Sequence, residues 1–183
     1  SALAAAADAA AERLGDSGRL IYIGAGTSGR LGVLDGVELI PTFGWPEARL
    51  AHALAGGDAA MLGPVEGAED DTGAARTRMA EIGPGANDVA IAIAASGRTP
   101  YAIAALKAAG KAGAMTIAVA NNPDSALLAV ADFALAAPTG AEVVELGPLN
   151  DSIHKVDEWV NVADLAPLER AYAGVIERLL RNA

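Results

Sequence analysis

Short apolar runs bounded by glycine alternate along this chain with longer segments in which apolar residues recur at three- and four-residue spacing. The runs at 19–23, 49–55, 88–94, 115–120 and 133–136 have the length of strands, and their continuous apolar character is that of strands buried on both faces. The periodic segments predict helices over 2–14, 28–37, 58–62, 70–82, 100–109 and 125–130. Gly15-Asp-Ser-Gly18 stops the first helix, Pro41-Thr-Phe-Gly-Trp-Pro46 reads as a loop, and Gly56-Gly57 ends the second strand. Strands alternating with helices predict an α/β fold: a three-layer, doubly wound, Rossmann-like and mainly parallel sheet, with right-handed crossovers and helices on both faces. After Gly140 the texture changes, as charged and bulky residues replace alanine and glycine. There Leu165, Leu168, Tyr172, Val175, Ile176, Leu179 and Leu180 form an apolar stripe along a helix expected over 165–180.

Composition narrows the class. With 183 residues and 52% hydrophobic content the chain can bury one substantial core. Aromatic residues make up only 4%, so alanine, valine, leucine and isoleucine must pack the layers. A net charge of −10 offers no basic stripe for nucleic acid, and an acidic membrane surface is an equally poor partner. Cysteine is absent, which removes disulfides and thiolate metal sites and fits a reducing compartment. The alanine-rich first residues carry Asp8 and no basic leader, so they read as a helix rather than a signal peptide. No apolar run approaches the roughly 20 residues that span a bilayer, and the cytoplasm is the expected location.

The candidate chemistry lies in two loops that each follow an apolar run and open a helix: Ile21-Tyr-Ile-Gly-Ala-Gly-Thr-Ser-Gly-Arg30 and Ile91-Ala-Ile-Ala-Ala-Ser-Gly-Arg-Thr-Pro100. Glycine lets the backbone approach an anion, serine and threonine add donors without bulk, and a helix N-terminus presents unpaired N–H groups. Either loop alone reads as a βα turn with a serine cap. Two together, with Arg30 and Arg98 beside them, point to one phosphate held from two sides. Gly24-Ala-Gly26-Thr-Ser-Gly29 also fits the dinucleotide pattern, but that reading needs a carboxylate at the end of the next strand, and 49–55 has none there.

These residues carry a resemblance. Arg19 to Asp35, Pro41-Thr-Phe-Gly44, Val65-Glu-Gly-Ala-Glu-Asp-Asp71, Ile93-Ala-Ala-Ser-Gly-Arg-Thr-Pro-Tyr101 and Asn122-Pro-Asp-Ser125 resemble the core of the N-acetylmuramic acid 6-phosphate etherases, which contain a sugar-isomerase (SIS) domain. The resemblance implies a SIS-type domain over 1–142, a sugar-phosphate ligand and a carbon–oxygen lyase. That enzyme would cleave the D-lactyl ether at C3 by elimination and addition of water, without a cofactor. It implies Glu38 and Glu69 as the acid–base pair, facing one cavity near the loops, with at least one shielded enough to hold a proton near neutral pH. It implies a phosphate held by Gly26, Thr27, Ser28, Ser96, Gly97, Arg98 and Thr99, and leaves a homodimer open. Ala94 and Ala95 stand where some relatives have polar groups, so backbone amides should matter more here. The etherases usually carry Ala-Ser-Glu-Cys-Pro-Pro where this chain has Gly36-Val-Glu-Leu-Ile-Pro41, and their motif after Val144 is missing.

Residues 143–183 instead resemble the C-terminal end of succinyl-diaminopimelate desuccinylases, a dinuclear zinc family, and a chimera of two families accounts for the junction. The resemblance makes His154 a zinc-ligand position, yet His52 is the other histidine of the chain and sits in an unrelated segment. The tail is therefore expected to act structurally, with 143–146 adding an edge strand and 165–180 packing as a helix on the sheet or on a partner. Two further readings remain at this stage: a noncatalytic phosphosugar-binding module, and a zinc-dependent amidohydrolase fragment.

Overall fold

A computed structural model describes residues 1–138. Contacts divide the chain into units of Ser1–Thr139 and Gly140–Ala183. The expectations for 143–183, His154 among them, lie outside the described residues.

Five strands form one parallel sheet in the order β2-β1-β3-β4-β5: β1 (Leu20–Gly24), β2 (Leu50–Leu54), β3 (Val89–Ile93), β4 (Met115–Ala120) and β5 (Phe133–Ala136). The helices are α1 (Ala2–Leu14), α2 (Gly26–Phe43), the short α3 (Ala59–Leu62), α4 (Thr72–Ile82) and α5 (Pro100–Lys111). This is the three-layer doubly wound architecture that the pattern predicts.

The two faces of the sheet are built differently. Ala53, Ala90, Ala92 and Ala118 pack with Ala75 and Met79 of α4 and with Tyr101, Ala102, Ala105, Leu106 and Ala109 of α5. Val89, Met115 and Ile117 pack with Ala6 and Leu14 of α1. Alternate residues of a strand point to opposite faces, so β3, Val-Ala-Ile-Ala-Ile, sends its alanines toward α4 and α5 and its branched residues the other way. Helix α2 compensates by lying on that second face through Gly29, Gly32 and Gly36, which are buried. A Cβ at Gly36 would come within 2.7 Å of His52 Nε2, and His52 stacks on Tyr22 at 6.0 Å. Burial, with the charge of Arg78 next, lowers the His52 pKa, so the ring packs there as a neutral group.

Helix α2 is longer than the sequence predicts. It passes through Pro41 to Phe43 and ends at Gly44, whose φ of 65° is left-handed and whose N–H donates to Ile40 O. Proline forfeits its own N–H bond to the Val37 carbonyl, one ladder bond in the last turn of a helix that ends among the exposed residues 41–44. The helix expected over 125–130 shrinks to one tight turn, Leu128–Val130. Helix α4 starts at Thr72, because Asp71 caps it by accepting from Ala74 N at 2.8 Å.

At the edge where the strands begin, charges are tied down. Asp88, 5% exposed, accepts from Arg19 Nη2 at 2.6 Å, from Arg19 N at 2.8 Å and from Gly85 N at 2.9 Å. Burial by itself would raise its pKa, but the bonds from Arg19 and Gly85 hold it below the usual carboxylate value. Arg49 donates to the carbonyls of Leu14, Gly15 and Gly18, ending α1 and fixing the entry to β1, while its guanidinium lies 4.4 Å from the Trp45 ring.

Candidate functional site

Gly24 closes β1 level with Ile93, the last residue of β3. The two serine-glycine loops therefore leave adjacent parallel strands at the same C-terminal edge, where ligands of doubly wound sheets bind. In the first loop strand and helix nearly touch. A Cβ on Gly24 would meet Gly29 Cα at 2.6 Å, and one on Gly29 would meet Leu54 Cδ1 at 2.5 Å. Only glycine permits that contact, and it brings the start of α2 directly over the strand end. The first ladder bond of α2 runs from Gly29 N to Ala25 O, and no side chain caps the helix. Among the described residues the amides of Gly26, Thr27 and Ser28 thus have no acceptor, as an anion cradle requires.

The second loop is more self-contained. Gly97 N donates to Ala94 O at 2.9 Å, Arg98 N donates to Ser96 Oγ at 3.2 Å, and Thr99 precedes Pro100 at the start of α5 without a side-chain capping bond. Ser96 and Arg98 are exposed, Thr99 is half-buried, and Gly97 is buried with φ +64°. Among the described residues the Arg98 guanidinium has no hydrogen-bond or ion-pair partner. Arg30 is different: its Nε donates to Ala60 O at 2.7 Å and its Nη2 to Gly63 O at 3.1 Å. It braces the segment after β2, which corrects its reading as an anion ligand.

A third loop, after β4, joins the group without having been assigned a role from sequence. Asn121 N donates to Ala95 O and Leu127 N to Gly97 O, both at 2.9 Å, so residues 121–127 underlie the second loop. Asn122-Pro-Asp-Ser125 was the available signal, legible as part of the resemblance but not as a support.

The two glutamates sit on different elements. Glu69 is in the turn Ala68–Asp70 after β2, and Glu38 is twelve residues down α2 from Gly26, about 18 Å along the axis at 1.5 Å per residue. Both are exposed. A cavity of about 1160 Å³ opens at the far edge, beside Arg13, Lys107, Lys111 and Asp132, and one of about 650 Å³ runs along β2 beside His52, Arg78 and Tyr101. Neither is lined by Glu38, Glu69 or a residue of the two loops. Among the described residues no cluster of histidine, aspartate and glutamate could hold a metal ion, and no helix is long and apolar enough to cross a membrane.

Comparison with known proteins agrees with this geometry. The chain is 49% identical over 142 residues to the N-acetylmuramic acid 6-phosphate etherase of Deinococcus radiodurans, and 53% identical over 144 residues to that of Symbiobacterium thermophilum. Each match covers 78% of this chain and 47% of the relative, so the chain spans about half the length of the curated relatives it matches. A phosphoheptose isomerase from Francisella tularensis has the same fold, with a TM-score of 0.56 at 21% identity, over 74% of this chain and 70% of that one. Residues 2–110 match the model of the glucokinase regulatory protein N-terminal SIS domain, and with its parallel sheet and paired glycine-rich turns the chain belongs to that SIS-domain family.

Proposed function

We propose that this chain binds a 6-phosphorylated amino sugar across its two loops and supplies the SIS half of an N-acetylmuramic acid 6-phosphate etherase. The observation that carries the reading is the pairing of two serine-glycine loops on adjacent strands, one with three amides that have no acceptor among the described residues. In this reading the phosphate sits on the amides of Gly26, Thr27 and Ser28, with the hydroxyls of Ser28, Ser96 and Thr99 as further donors and Gly97 and Arg98 beside it. The similarity to the etherases supports the choice of sugar.

The chemistry assigned to the glutamates is an elimination. One carboxylate removes the proton at C2, the other acid protonates the lactate oxygen as its bond to C3 breaks, and water then adds at C3. Glu38 and Glu69 fill these roles by resemblance, and no cofactor enters. Their exposure, on two different elements, fits a site completed by a second copy. Leu31, Leu34, Glu38 and Pro41 follow the three-four-three spacing of one helix face, and all are exposed. A homodimer burying that face would cover the apolar stripe, shield Glu38 and carry it toward the loops of the other chain.

Incubation with N-acetylmuramic acid 6-phosphate tests the proposal through D-lactate release and a ligand-induced rise in Tm. Lactate together with stabilisation is the expected result. Stabilisation without lactate favours the second reading, a phosphosugar-binding module without catalysis, which the exposure of both glutamates supports. A chain that shows neither response does not have this function.

A further inference from the structure

Ser125 is only 3% exposed, and its Oγ has no hydrogen-bond partner among the described residues. A hydroxyl shut away from water without a partner is unfavourable, so its presence here calls for a role. The neighbour of this hydroxyl is informative. A Cβ built on Gly97 would lie 2.2 Å from Ser125 Oγ and 2.3 Å from Ser125 Cβ, so Ser125 occupies the space toward which a side chain at 97 would point. Gly97 also has φ +64°, a conformation that L side chains rarely adopt. On either side the same two loops are tied together, by Asn121 N to Ala95 O and by Leu127 N to Gly97 O.

We propose that Ser125 is a positioning residue for the second loop: wedged under Gly97 between those two bonds, it holds the backbone at the height from which Ser96, Arg98 and Thr99 reach an anion seated on α2. This rests on the reading of 96–99 as a sugar-phosphate loop. The loop's own bonds, Gly97 N to Ala94 O and Arg98 N to Ser96 Oγ, shape the turn but do not fix it relative to the neighbouring β1 loop. Contact with residues 121–127 does. Shortening the wedge lets the turn sink toward β4, and enlarging residue 97 lifts it.

Three proteins test this: Ser125→Ala, Gly97→Ala, and Gly97→Ala combined with Ser125→Gly. Each is compared with the native chain for glucosamine 6-phosphate affinity by calorimetry, for Tm without ligand, and for amide exchange by nuclear magnetic resonance. Ser125→Ala is expected to weaken binding about tenfold and to speed exchange at Gly97 and Arg98 by a similar factor, with strand amides and Tm unchanged. Gly97→Ala should weaken binding more, and removing the Ser125 side chain beside it should recover part of the loss. The proposal is overturned if Ser125→Ala lowers Tm and leaves affinity and loop exchange untouched, or if the double variant shows no recovery. Should the native chain bind no sugar phosphate, the ligand assignment fails, and exchange alone decides the positioning role. A rise confined to 96–99 upholds it, and no rise overturns it.

Discussion

The two edges of the sheet treat polar groups in opposite ways. Where the strands begin, Asp88 is saturated by Arg19 and Gly85, and Arg49 covers three carbonyls. Where they end, and among the described residues, three amides of α2 have no acceptor, Arg98 has no partner, and the Ser125 hydroxyl is buried without one. Satisfied groups stabilise a fold, whereas groups left open lower stability and wait for a ligand. The contrast, and not cavity size, is what singles out the candidate site, since the larger of the two cavities described lies at the satisfied edge.

Substitutions at the two edges should therefore separate stability from binding. The largest expected effect is at the satisfied edge. Asp88→Ala strands Arg19 and the Gly85 amide and should cost about 2.5 kcal/mol in urea unfolding, below the roughly 3–5 kcal/mol of fully buried pairs because Arg19 is partly exposed. Sugar-phosphate affinity of the folded fraction should not change, and a large loss of affinity would blur the distinction. The same carboxylate predicts a pH dependence. Its folded pKa is depressed, so its contribution is present above the ordinary value of 3.8 and is lost as pH falls through the lower folded value. Acid unfolding of Asp88→Asn should lack that component.

Next is Gly29→Ala, which drives a methyl into Leu54 and the backbone of Gly24. We expect a loss of about 2 kcal/mol together with weaker sugar-phosphate binding, because the helix end must back away from the strand. Calorimetric titration and thermal melts on one sample would check both, and unaltered binding would detach the close contact from the cradle.

At the open edge the effects should fall on binding alone. Ser96→Asp places a carboxylate where the phosphate is expected and should weaken affinity at least about thirtyfold, roughly 2 kcal/mol, with Tm within a degree or two of native. Retained affinity removes Ser96 from the site. The smallest effect is expected from Arg30→Ala, which loosens the segment after β2 by about 1 kcal/mol while leaving phosphate affinity intact. A strong loss of affinity would return Arg30 to the ligand.

Local pattern was enough to locate β4 at 115–120 and β5 at 133–136 to the residue and to bring each end of the other strands within one position. A run of branched and small apolar residues ended by glycine specifies backbone conformation over a few neighbours. The glycines of the first loop were legible for the same reason. Helix α2 runs past Pro41, against the sequence expectation, because proline there removes one ladder bond from a last turn that Gly44 closes by donating to Ile40 O.

Partnerships across long stretches of chain were settled only by folding. Arg30 meets residues about thirty positions on, Arg19 meets Asp88 across 69, and Ser125 comes under Gly97 because β3 and β4 are neighbours in the sheet. The exposure of Glu38 and Glu69 is of this kind too: each motif names its residue, but the packing of α2 and the place of the turn after β2 decide that both side chains stand at the surface. Periodicity and turn chemistry act through adjacent residues and can be read from sequence order, whereas the identity of a buried group's partner depends on which strands and helices the tertiary packing brings side by side.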